Sequence, residues 1–167
     1  MRAIFAILLF FSGIGPAFAQ GTSVLFGSSE HDASLPVEVV ADLLEVDQTT
    51  GDATFTGNVV VGQGEMRLSA EKVIVEYKTE EEQQASDSSG KINRLIASEN
   101  VLLVNGPEAA EADFAEYTID SAEVIMIGNV IVTQGENATS GNRMVVDLNT
   151  GRAQMSGRVK TILQPDN

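Results

Sequence analysis

The sequence contains no cysteine, which removes disulfides, thiolate metal sites and thiol nucleophiles together. Histidine occurs once, at His31 in "GSSEHDASLP". Glu30 and Asp32 flank it, but no further partners stand at the spacing that zinc or general-base chemistry requires, so it reads as a solvated loop residue. Basic residues are scarce: 10 Lys and Arg against 24 Asp and Glu give a formal charge of -14. Binding along nucleic acid needs clustered Lys and Arg, so that class of partner is excluded. Helical periodicity is missing over any useful length beyond the N-terminal apolar stretch. Long apolar runs are missing too. The stretch from Ala3 to Phe11 falls well short of the roughly 20 residues that span a bilayer.

That short run has the setting of a secretory signal peptide. Arg2 precedes it, Ser12-Gly13 and Gly15-Pro16 end it, and Ala17-Phe18-Ala19 supplies a small-x-small site, with cleavage expected before Gln20. The chain then divides into a signal peptide (1–19), a flexible N-terminal segment (20–36), a β domain (37–163) and a short tail (164–167). Loss of Arg2 takes the charge from -14 to -15, and what remains from Gln20 onward is enough for one domain with a real core. An exported chain without cysteine must be held by packing and strand pairing alone.

What the sequence does have is a repeat. "FTGNVVVGQGE" (Phe55 to Glu65) returns further along as "MIGNVIVTQGE" (Met126 to Glu136), and the register runs on to place "KVIVEY" over "RMVVDL". A second alignment, at a longer shift, lays "VDQTTGDATFTGNV" (Val46 to Val59) on "VDLNTGRAQMSGRV" (Val146 to Val159). A weaker copy is "SENVLLVNG" (Ser98 to Gly106). Units begin near Ala41, Ala70, Ala112 and Gly141, evenly spaced except for a wider gap between the second and the third. The wide gap holds an acidic insertion, "TEEEQQASDSSGK" (79–91), expected to form a long flexible loop. Without it the period would be uniform.

Each unit reads as strand, turn, strand, rich in Val, Ile, Thr and aromatics, with Gly, Asn, Asp and Ser between. Turns are expected at Thr50-Gly51, Gln63-Gly64, Gln134-Gly135 and Thr150-Gly151. Gly57, Gly128 and Gly157 recur inside strands, where glycine marks a bulge or bend that curves a sheet. Strand residues alternate faces, so equivalent positions share one face. Phe55, Met126 and Met155 form one aligned apolar row; Val59, Val101, Val130 and Val159 a second; Val61, Leu103 and Val132 a third. The preceding strands add Leu44, Val73 and Met144, then Val46, Val75, Tyr117 and Val146. Thr54, Lys72, Glu76, Glu116, Arg143, Asp147 and Arg158 take the other face and suit solvent. Val60, Leu102 and Ile131 break the alternation. The apolar face must be covered, by a sandwich, a roll or a V-shaped trough, and stacked repeats leave an open edge at each end.

The repeated "A-x-x-h-x-h … TG-x-A-x-h-x-GNV" pattern (h apolar), from Val37 to Leu163 of a short exported chain, resembles the OstA family. The resemblance implies an all-β, repetitive antiparallel β-jellyroll, a V-shaped folded sheet open along one seam. It implies a periplasmic carrier that shields the lipid A acyl chains of lipopolysaccharide between inner and outer membranes, with no cofactor and no metal. The aligned apolar residues would then line a lipid groove. Partners would be LptC-like inner-membrane and LptD-like outer-membrane jellyroll domains, with copies joined head to tail. The Ala17-Phe18-Ala19 site speaks against a membrane-anchored member of the family, and the end at Asn167 against the outer-membrane translocon. By side-chain type alone, the same residues read first as the packed core of a closed sandwich, and it is the resemblance that turns the reading to a groove.

Two other classes remain open on the residues. One is a periplasmic scaffold that joins envelope proteins through sheet edges without binding lipid. The other is a glycan enzyme, which would need two carboxylates in one cleft; here acids such as Glu76 and Asp147 recur on the solvent face. The acidic run at 80–82 is a solvated charge cluster.

Overall fold

The computed structural model describes residues 22–26, 32–85 and 90–164. The expected signal peptide, His31 and the last three residues lie outside these. The β-branched runs become β1 (Thr22–Leu25), β2 (Glu38–Val40), β3 (Leu43–Val46), β4 (Ala53–Gln63), β5 (Met66–Tyr77), β6 (Ile92–Asn105), β7 (Glu108–Thr118), β8 (Glu123–Gln134), β9 (Asn137–Asp147), β10 (Arg152–Ser156) and β11 (Lys160–Ile162). All pairings are antiparallel, in the order β1-β10-β9-β8-β7-β6-β5-β4-β2, with β11 also on β9 and β3 also on β4. The sheet is open, ending at β2 and β3 on one side and at β1 and β11 on the other.

The repeated glycines bend it. The β4–β5 ladder shifts register between Thr56 and Val59, β6–β7 between Ser98 and Val101, and β8–β9 between Ile127 and Val130. Gly57 and Asn58 have φ of 81° and 47°, and Gly128 and Asn129 repeat them at 83° and 47°. Two successive left-handed residues turn the strand sharply, and Gly and Asn are the residues that tolerate this conformation best. The weak copy does it with Glu99 and Asn100, at 67° and 55°. A carboxylate braces the corner: Asn58 Nδ2 donates to Asp42 Oδ2 at 2.7 Å, and Asn129 Nδ2 to Asp113 Oδ2 at 2.9 Å. The shift that relates these two contacts is the one that lays the first copy of the repeat on its return.

The bends divide the sheet into two facing wings. The first holds β1, β3, β10 and the ladder of residues 53–56, 72–77, 94–98, 114–118, 123–127 and 143–147. The second holds β2, β11 and the ladder of residues 59–63, 66–69, 101–105, 108–111, 130–134 and 137–141. Their inward side chains form one buried apolar cluster. Outer-face charges pair where they meet, as Arg94 does with Glu76 at 2.6 Å and Glu116 at 3.3 Å.

Two elements differ from expectation. The segment 20–36, expected to be flexible, contains β1, which pairs with β10. The acidic insertion contains a helix, α1 (Glu80–Ala85). Its start is a capping box: Thr79 N–H donates to a Glu82 carboxylate oxygen at 2.8 Å, and Glu82 N–H to Thr79 Oγ1 at 3.3 Å. "TEEE" spells that box, and the charge of the run obscured it.

Candidate functional site

The space between the wings is where the repeated apolar residues converge. On the first wing Val73, Val75, Tyr117, Met126, Met144, Val146 and Met155 are buried. On the second, Val59, Val61, Val101, Leu103, Val130 and Val132 are buried. Phe55 and Val159 are half-buried and pack against them. Leu44 and Val46 pair with Phe55 and Ala53 but are 52% and 58% exposed, because among the described residues no strand lies beyond β3. The wings thus meet over most of their length, and solvent reaches the expected lining at the β3 end.

Step-of-two alternation from the aligned rows also leads to Leu95 and Val124, buried inward residues that the sequence reading did not name; Leu68 is buried inward as well, but the bend puts it out of step with Val73. Phe26 is fully buried too; it lies outside the repeat and carries no pattern signal. The three residues that broke the alternation fall on the outer side of the second wing, where Val60 and Ile131 are exposed and Leu102 half-buried.

Sequence reasoning missed the mouth of the V. Tyr117 Oη, from the first wing, donates to Gln63 Oε1 of the second at 2.9 Å. Gln63 Nε2 in turn donates to the carbonyls of Ala33 and Leu35, each at 3.0 Å, tying the segment before β2 to the mouth. Gln63, Asn105 and Glu108, at the tips of second-wing strands, are buried polar residues. On the first wing, Lys78 is buried and pairs with Asp120 at 2.8 Å. The mouth is therefore a polar lip on an apolar interior. The recurrence of Gln63 as Gln134 was its one sequence signal. Burial pushes the Tyr117 phenol well above its ordinary value. At the β2 end of the lip a cavity of about 530 Å³ opens among residues 33–37, Gln63, residues 90–92, Ile119 and Asp120. Among the described residues, no group of three or more His, Asp or Glu is placed to hold a metal ion.

A folded, open antiparallel sheet with an apolar inside defines a β-jellyroll, and comparison with known proteins gives its family. A family model described as the LptA/(LptD N-terminal domain) LPS transport protein matches residues 38–152. The chain belongs to that family. The lipopolysaccharide export system protein LptA of Escherichia coli strain K12 is 26% identical over 140 residues, 80% of this chain and 74% of that one. An uncharacterized protein of Rhizobium meliloti strain 1021 is 30% identical over 155 residues, 90% of this chain and 83% of that one. In structure, the chain is similar to LptH of Pseudomonas aeruginosa, described as the LptA-homologous periplasmic component of the lipopolysaccharide transport device. The TM-score is 0.69 at 20% identity, covering 81% of this chain and 99% of that one.

Proposed function

We propose that this chain is a periplasmic carrier of lipopolysaccharide that takes acyl chains between its wings and joins end to end into a bridge. The observation that carries the reading is the single apolar face running from β3 to β10, closed by polar contacts at the mouth and uncovered at Leu44 and Val46.

Magnitudes favour opening by lipid. Burying a methylene stabilises by about 0.8 kcal/mol, so an acyl chain of about a dozen carbons is worth roughly 10 kcal/mol. A hydrogen bond such as Tyr117 to Gln63 contributes a net of about 0.5–1.5 kcal/mol. A few such bonds hold the lip shut in water yet yield to an acyl chain that replaces the contacts between wings. Contacts with Val, Leu and Met lack direction, which permits sliding. The sugar head stays outside, as the acidic surface requires. End-to-end joining uses main-chain hydrogen bonds at the free edges, with LptC-like and LptD-like domains as the partners at the two ends.

A photocrosslinking residue placed in cells at Phe55 should give lipopolysaccharide adducts, and one at outward Thr54 should not. The complete burial of Val59, Val73 and Met126 favours a second reading, a scaffold that joins envelope proteins without lipid. Protein adducts from Leu44 together with no lipid adduct at Phe55 would establish the scaffold and end the carrier reading.

A further inference from the structure

The N-terminal strand stands in an informative place. β10 pairs with β1 through Ala153↔Val24, Gln154↔Ser23 and Met155↔Thr22. β4 pairs with β5 through Ala53↔Val75, Thr54↔Ile74 and Phe55↔Val73. The longer of the two repeat shifts lays Ala153, Gln154 and Met155 on Ala53, Thr54 and Phe55. β1 therefore occupies the position that the next strand of the repeat would take. It supplies that strand from the opposite end of the chain.

The first wing thus ends on a borrowed strand, while the second ends on β11, whose Ile162 is 48% exposed, with Leu163 just after it 72% exposed. At the opposite end, β2 and β3 have no strand beyond them among the described residues, and Val40, Leu43 and Leu44 are more than half exposed. Strand direction fixes what could extend the sheet. β3 is antiparallel to β4 and β1 is antiparallel to β10. A second copy stacked in continuation would bring its β3 to β10 running as β1 runs, and its β2 to β11, again antiparallel.

We propose that β1 is an internal stand-in for the β3 of a second copy, and that copies join by strand exchange: the incoming β3 displaces β1 from β10 while β2 docks on β11. This rests on the end-to-end joining proposed above. An incoming copy offers pairing on both wings, and β1 offers one short strand on one. The tether compensates, because a strand on the same chain competes at an effective concentration of the order of millimolar. The stand-in keeps an isolated copy from pairing promiscuously at its edge and yields to a partner that engages both wings. Phe26 follows β1 directly, is fully buried, and donates from its N–H to Gly151 O at 3.2 Å. Exchange pulls on this anchor.

The test is the concentration dependence of assembly of the mature chain, followed by sedimentation velocity. Ser23 and Gln154 are directly opposed in the ladder, where the spacing of paired strands suits a disulfide, and the chain has no other cysteine to confuse the pairing. With Ser23→Cys and Gln154→Cys together, the oxidised protein should stay monomeric where its reduced form assembles. Deletion of residues 22–25, which spares Phe26, should lower the concentration for assembly at least tenfold. Equal assembly of oxidised and reduced protein would overturn the exchange and leave end-to-end joining intact. Absence of assembly in the wild type and in every variant at all concentrations would overturn joining, and the exchange with it.

Discussion

At the scale of single residues, the corner glycines carry two constraints at once. Gly128 has φ of +83°, and a Cβ built there collides with the Asp113 carboxylate that braces Asn129. Gly135 also has a positive φ, +56°, but open space around it. Gly128→Ala should therefore lower unfolding stability by about 1–3 kcal/mol, from strain plus lost bracing. Gly135→Ala should lose only the strain, about 1 kcal/mol. Urea denaturation of both variants measures the difference, and equal losses would show that the Asp113 contact adds nothing. The sequence made these corners legible because a left-handed pair restricts residue type locally. It made Asp113 less legible, since its contact with Asn129 crosses from β7 to β8 and leaves no mark within either strand.

At the scale of elements, pairing partners decide exposure. β3 carries the same alternation as β5 and β9, yet Leu44 is half exposed while its aligned equivalents Val73 and Met144 are fully buried. The residue type is kept through the repeat; the neighbour is not. Leu44→Lys should place a charge on a joining edge without disturbing the core. Its thermal unfolding should stay close to wild type, within the roughly 0.5 kcal/mol usual for surface changes, while concentration-dependent association seen by light scattering is lost. Undiminished association would remove β3 from the joint. The helix α1 belongs to this scale as well. Its capping box is local and readable in "TEEE", but so short a helix has no periodicity that stands out from a charged loop.

At the scale of the whole molecule, two wings are held mouth to mouth by polar groups over an apolar interior. Tyr117 reports on that closure. Its phenol ionises near pH 10 in the unfolded chain, and burial raises it above that when folded. Well below pH ~10 both states hold the proton and stability is unaffected. As pH rises past this value, the unfolded state releases the proton while the folded state retains it. Stability should then fall by about 1.4 kcal/mol per pH unit until the folded phenol ionises. Tyr117→Phe should lose about 0.5–1.5 kcal/mol at neutral pH for the bond to Gln63 and should lack this part of the alkaline decline. Chemical denaturation of the two proteins from neutral to strongly alkaline pH compares them, and parallel curves would mean that Tyr117 is wet in the folded chain.

The sequence by itself determined the strands of the repeat, the bends at Gly57 and Gly128 and the apolar side of those strands. All three follow from short-range physics: a residue alternates faces with its neighbour, and only a few residue types accept a left-handed φ. Tertiary structure alone decided how the two apolar faces meet, which copies of the repeat stay uncovered, and what seals the mouth. Whether Leu44 or Val73 is wet depends on whether another strand lies beside it. Gln63 acquires its role because Tyr117, far along the chain, is brought opposite it. The short β1 finds its place on β10 through a ladder whose two halves lie at opposite ends of the chain, and a segment of that length carries no local mark of its partner.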